Sequence, residues 1–125
     1  MPDDAFERAL VLQWMCFEQY SHEPNLATVR FWKRHRTPEQ ILPGLLEQKI
    51  ALGHAALAVM QQHLLQRSFF VAERFSIADI ALYAYTQSAK AIGLAPSAHV
   101  ESWLARVREV DRHVAIKRDP LGKAP

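Results

Sequence analysis

The chain has 125 residues, half of them hydrophobic, a formal net charge of +2 and one cysteine. That size suits a single domain with its own core, the apolar content excludes a disordered tail, and so small a charge leaves no footprint for nucleic-acid binding. Cys16 has no partner for a disulfide, no apolar stretch approaches the ~20 residues that cross a bilayer, and no charged-then-apolar leader opens the chain, so a reducing, cytoplasmic setting away from membranes is expected.

The apolar spacing predicts an all-α fold, a helical bundle of about five to six helices in one domain over 1–125. The first helix is expected over 4–21, capped by Asp3 or Asp4 and discouraged from continuing by Pro24. Phe6, Leu10, Trp14 and Phe17 fall on one stripe of it, and Val11, Leu12, Met15 and Cys16 fall on a second face. Two apolar faces imply two partners, the domain's own core and something outside it. A second helix is expected over 25–33. Thr37-Pro38-Glu39-Gln40 then reads as another helix start, with Thr37 as cap, Pro38 in the first turn and Gln40 three residues after the cap. The long helix it opens is expected over 38–66, with Leu42, Leu46, Ile50, Gly53, Leu57, Met60 and Leu64 inward; Pro43 leaves open a bent first turn or a later start. Gly53 on the inner stripe implies close approach of a neighbouring helix, since a mid-helix glycine costs about 1 kcal/mol against alanine.

The connection that follows carries Phe69, Phe70 and Val71, apolar enough to tuck under the core. Phe75-Ser76-Ile77-Ala78-Asp79-Ile80 is the firmest signal in the chain. Ser76 and Asp79 form a capping box, each side chain accepting from the other residue's backbone N–H, and Phe75 and Ile80 stand at the positions of a hydrophobic staple. The capped central helix is expected over 76–91 with Gly93 just past its end. Ser97, after Pro96, opens a helix over 97–110, a short turn over 111–116 closes the domain, and 117–125 reads as a flexible tail.

Phe75 to Tyr83 resembles the capping box and staple that open the central helix in the C-terminal, all-helical domain of glutathione S-transferases. Gln13-Trp14-Met15-Cys16-Phe17-Glu18-Gln19-Tyr20-Ser21-His22-Glu23-Pro24, followed by Arg30-Phe31-Trp32, is similar to the first helix of that domain in bacterial members, and Ser102-Trp103-Leu104-Ala105-Arg106-Val107 to its penultimate helix. Order and spacing agree from about Phe6 to Ile116.

The resemblance implies a thioredoxin-like N-terminal domain that binds glutathione as co-substrate and supplies the Ser, Tyr or Cys that activates its thiol. No segment here reads as that domain, so the chain is expected to begin at the interdomain boundary, to hold no catalytic residue and to be inactive alone. Its implied share is the wall that receives a small hydrophobic electrophile, with Gln13, Glu18, Tyr20 and Ser21 facing the interdomain cleft. Phe6, Leu10, Trp14 and Phe17 would contact the missing domain or the second subunit of a homodimer. The chain departs from the family at Ala72, where a glycine is usual; a left-handed backbone there would strain alanine. The alternative is a non-enzymatic interaction module on the same helical scaffold.

Other candidates have plainer readings. The histidines at 22, 35, 54, 63, 99 and 113 show no zinc-ligand spacing, so no metal is expected and surface or helix-end positions suit them. Cys16, between Met15 and Phe17, reads as a small buried hydrophobe. Arg30, Lys33, Arg34, His35 and Arg36 read as a solvated basic surface at a helix end, with an anion site as the sharper option. Asp79 is expected to be partly buried in a structural role.

Overall fold

A computed structural model describes residues 1–116 of the chain. Five α-helical segments follow in order: α1 (Ala5–Phe17), α2 (Glu23–His35), α3 (Leu45–Leu64), α4 (Ile77–Thr86) and α5 (Ala98–Arg108). One π turn, Glu18–His22, joins α1 to α2 without interrupting the helical rod. The described residues therefore form an all-α bundle of four rods, with α4 packed against α1, α2 and α5, and α3 against α2 and α5. The segment 117–125, expected as a flexible tail, lies outside the described residues.

Asp4 caps α1 by accepting from the Glu7 backbone N–H at 2.9 Å. Pro24 does not end the helix as expected. The Glu23 N–H bonds to the Glu18 carbonyl, a five-residue step instead of four, and this widened turn lets the Pro24 ring enter the first turn of α2. The start at Thr37 is also shorter than expected: Gln40 Oε1 accepts from the Thr37 N–H at 3.0 Å, but only the single 3-10 turn Pro38–Gln40 follows. Gly44, at φ +78°, resets the direction and α3 begins at Leu45, which leaves Leu42 exposed before the helix. At Gly53 the close neighbours are side chains: an added Cβ would lie 2.9 Å from Leu94 Cδ1 and 3.5 Å from Leu26 Cδ1.

The capping box at α4 forms and does more than cap. Asp79 is 0 % exposed, and its carboxylate accepts from four donors: the Ser76 N–H at 2.9 Å and hydroxyl at 3.1 Å, the Phe70 N–H at 3.2 Å and the Trp103 indole N–H at 2.9 Å. Ser76 Oγ in turn accepts from the Ala78 N–H at 3.3 Å. One carboxylate thus joins the loop before α4, the first turn of α4 and α5. The staple is looser: Phe75 and Ile80 border the same depression, yet both stay exposed. α4 ends at Thr86, short of the expected 91, and a 3-10 turn (Ala89–Ile92) and Gly93 at φ +86° follow. Ser97 stands at the N-cap of α5, but its buried hydroxyl has no partner among the described residues.

The loop residues Phe70 and Val71 are buried as expected, and Phe70 organises an aromatic cluster. Its ring meets Trp14 at 4.6 Å and Trp103 at 5.2 Å edge-on, and stacks on His63 at 5.4 Å between centroids. His63 Nε2 lies 2.9 Å from the Phe70 carbonyl, so it serves as donor there, and burial pushes its pKa down. Beyond Phe70 the loop turns back through Ala72 (φ 53°) and Glu73 (φ 52°), closed by an Arg74 N–H to Val71 carbonyl bond of 3.1 Å. Two successive left-handed residues are the pattern of a type I′ turn, where Asn-Gly is favoured and alanine carries strain of roughly 1–2 kcal/mol.

Two expectations follow for chemical denaturation. Asp79→Ala, which strands several buried donors, lowers unfolding free energy by about 3 kcal/mol or more, and Ser76→Ala by about 1 kcal/mol; equal midpoints for both variants and the parent would mean that the box carries no load. Ala72→Gly raises stability, by up to about 1 kcal/mol after glycine's entropy is subtracted, and a lower midpoint would contradict the strained turn.

Candidate functional site

The π turn shapes the surface on which the expected wall residues lie. Glu18, His22 and Asn25 point inward at helical spacing, continuing the buried stripe of Val11 and Trp14 with polar groups. His22 is fully buried, with Nε2 2.8 Å from Thr86 Oγ1. The Thr86 hydroxyl donates to the Leu82 carbonyl at 2.6 Å, so His22 must be the donor in this pair, carrying its proton on Nε2. Its Nδ1 has no partner among the described residues, and desolvation lowers the pKa from 6.5 to about 4. A neutral imidazole therefore ties the π turn to the end of α4. Asn25 completes the joint, its amide donating to the Ser21 carbonyl at 2.7 Å while Lys49 from α3 reaches the Asn25 Oδ1 and the Pro24 carbonyl, each at 3.3 Å.

Outside this joint, a groove of about 380 Å³ runs between the π turn and α3. Tyr20 and Ser21 line it together with Phe17, Lys49, Leu52 and Val59. Of the four expected wall residues, these two come together there. Tyr20 is 83 % exposed, so its ring is free to move. Gln13 is exposed on α1 outside the groove. Glu18 is buried, bonded to the Gln19 amide at 2.7 Å, and does not face an open wall as expected; four residues after Trp14, it continues the buried stripe of α1. Nothing in this groove offers a nucleophile paired with a base, and no group of three or more metal-ligating side chains occurs among the described residues.

The stripe Phe6, Leu10, Trp14 and Phe17 divides. Trp14 belongs to the chain's own core, 9 % exposed and packed on Phe17, His63 and Phe70, so it is not available as a contact for another domain or subunit. Leu10 and Phe17 pack against the core and are half-buried; Phe6 is 72 % exposed. The open apolar surface of α1 is instead Phe6 with Leu12, Cys16 and Tyr20, and α3 adds Leu52 and Val59. Cys16, expected to be buried, stands on that exposed side. A second, apolar depression of about 350 Å³ lies at the start of α4 and the end of α5, bordered by Phe75, Ile80, Tyr83, Val110, His113 and Val114.

The basic cluster is partly absorbed into the fold. Lys33 Nζ caps the 3-10 turn by bonding the Ile92 carbonyl at 2.6 Å, and the Arg36 guanidinium lies 5.9 Å from the Phe31 ring centroid. Sequence reasoning missed the His22–Thr86 pair, Lys49, Leu52 and Val59. The signal for the first was present as polar residues at 18, 22 and 25, a helical spacing that marks an inward polar stripe.

The family described as glutathione S-transferase, C-terminal domain, matches residues 43–115. Among solved structures, a possible glutathione S-transferase from Rhodopseudomonas palustris is 37 % identical, with a TM-score of 0.81 over 96 % of this chain and 58 % of its own. A glutathione S-transferase from Xanthobacter autotrophicus Py2 is 35 % identical, with a TM-score of 0.82 over 89 % of this chain and 55 % of its own. One from Pseudomonas fluorescens Pf-5 is 39 % identical, with a TM-score of 0.78 over 92 % of this chain and 58 % of its own. The chain thus spans somewhat more than half the length of these relatives. No curated protein matches it. Among the described residues, no helix is long and apolar enough to cross a membrane.

Burial of His22 sets a pH dependence. Because its pKa is about 4 when folded and 6.5 when exposed, the unfolded chain binds the proton first. The stability held at neutral pH is therefore complete above pH 6.5 and is lost as pH falls toward 4, by about 3 kcal/mol for this group. Urea melts from pH 7 to 4 on the parent and on His22→Leu check this: the parent's loss is steeper by that amount, and parallel curves would contradict a buried neutral imidazole.

Proposed function

Because the chain belongs to the glutathione S-transferase family, as its C-terminal helical domain, we propose that it supplies the acceptor-binding and assembly surfaces of a two-domain transferase. The missing half in this reading is a thioredoxin-like domain, which binds glutathione and activates its thiol for addition to small hydrophobic electrophiles. The observation that carries the reading is the uncovered apolar surface of α1 and α3. Phe6 and Leu12 on α1, Tyr20 on the π turn and Leu52 and Val59 on α3 stay exposed, and Tyr20, Leu52 and Val59 meet at one groove. Exposed apolar area of that kind belongs to an interface or a ligand groove.

In this proposal the groove at Tyr20 and Ser21 receives the electrophile. Its apolar wall of Phe17, Leu52 and Val59 would hold an aromatic or alkyl group, and the Tyr20 hydroxyl, at the groove's edge, would orient the reacting end or the thioether product. The contribution to rate is positional: holding the acceptor beside a thiolate lowers the entropic part of the barrier without any charged group from this chain. Gln13 and Phe6, further along the same exposed side of α1, would meet the second subunit of a homodimer. The apolar depression at Phe75, Ile80 and Val114 would seat the thioredoxin-like domain. A cytoplasmic, reducing setting suits both the glutathione chemistry and the exposed Cys16.

The interaction-module reading draws on the basic end of α2. Lys33 and Arg36 already have local tasks there, so that surface gives it no specific support.

The test is steady-state kinetics on the full-length protein with a small aryl halide as acceptor. Tyr20→Ala raises the acceptor KM several-fold and leaves the glutathione KM unchanged. If the acceptor KM does not move, or the glutathione KM moves with it, the groove is not the acceptor wall.

A further inference from the structure

A third groove, of about 660 Å³, lies between the C-terminal end of α4, the 3-10 turn after it and α5. It shares no residue with the groove at Tyr20. Its floor includes Thr86 and Leu104, both buried, and its walls include Ala91, Ala95 and Pro96. Three charged side chains border it: Lys90 from the 3-10 turn, and Glu101 and Arg108 from α5.

Several charges at element edges in this fold have local partners. Lys33, Lys49, Arg67 and Arg106 each donate to a backbone carbonyl, and Arg74 pairs with Glu7 at 2.7 Å. The side chains of Lys90, Arg108 and Glu101 have no hydrogen-bonding or ionic partner among the described residues, and they do not pair with one another. A preference of cations for helix C-termini and of anions for N-termini accounts for each charge singly. It does not account for their convergence on one concave surface.

The spacing indicates what would fit. Glu101 and Arg108 stand seven residues apart on α5, which is roughly 10 Å along the axis. A chain of two or three residues in extended form spans about that distance. We propose that this groove binds a short zwitterionic peptide, with its C-terminal carboxylate between Lys90 and Arg108 and its N-terminal ammonium at Glu101. Guanidinium and carboxylate match in geometry, and the ammonium supplies donors to a carboxylate that has none. The inference is independent of the transferase reading, because it uses neither the α1 surface nor the groove at Tyr20.

The experiment is an NMR titration of the isotope-labelled chain with triglycine and, separately, N-acetyltriglycine, which keeps the carboxylate and lacks the ammonium. Triglycine produces saturable shifts at residues 87–91 and 101–108, and binds at least several-fold more tightly than the acetylated peptide. Lys90→Gln with Arg108→Gln weakens both peptides about tenfold or more. Glu101→Gln removes the advantage of triglycine and leaves the acetylated peptide no weaker. All three positions border solvent, and a circular dichroism melt verifies that the variants fold. Absence of saturable shifts at these residues up to roughly 20 mM peptide, equal binding of the two peptides by the parent, or full binding by the double variant would each overturn the proposal.

Discussion

A single carboxylate, that of Asp79, sits where the loop from α3, the start of α4 and the middle of α5 meet, and it bonds to all three. Burying such a group without partners would cost several kcal/mol, so its presence at the centre makes sense only because Phe70, Ser76 and Trp103 supply donors from different elements. The aromatic packing then depends on it. Trp103 is aligned by its indole N–H, Phe70 by its backbone N–H, and their rings meet edge-on at 5.2 Å with Trp14 of α1 against Phe70. Through that chain of contacts the position of α1, and with it the exposed surface proposed to receive an acceptor, is referred to one buried oxygen pair.

The π turn is the second constraint. One extra residue between α1 and α2 makes room for Pro24; across this turn Glu18 and His22 face inward, while Tyr20 and Ser21 are left outside beside α3. The groove is thus a by-product of a helix defect held in place by a neutral, buried imidazole on Thr86 and by Lys49 bridging from α3. The same joint that gives the surface its shape also makes it sensitive to acid, since charging His22 puts a cation in a dry setting and adds an Nδ1–H that has no partner among the described residues.

Much of this was legible in the sequence because it is local. Ser76 and Asp79 are three residues apart, and the box they form needs no knowledge of the rest of the fold. The burial of Phe70 and Val71 also followed from residue type, whereas the left-handed backbone at Ala72 was foreshadowed only by the resemblance, which puts a glycine there. What escaped was non-local. Nothing near Asp79 announces Trp103, and nothing near His22 announces Thr86, because those partners come from separate helices. Glu18 was expected on an open wall from the resemblance and Trp14 on an outer stripe because α1 has apolar residues on two faces; which face meets the core is set by the other helices. The start at Thr37 was read correctly as a box, but Gly44 and Pro43 confine it to a single turn.

The most direct measurement is native-state hydrogen exchange of the three N–H groups that meet Asp79: the Phe70 and Ser76 amides and the Trp103 indole. The account predicts that all three exchange only through global unfolding, with the same free energy and the same denaturant dependence as the whole domain. Exchange of any of them by a low-energy local opening, independent of denaturant, would contradict the claim that this carboxylate ties the bundle together.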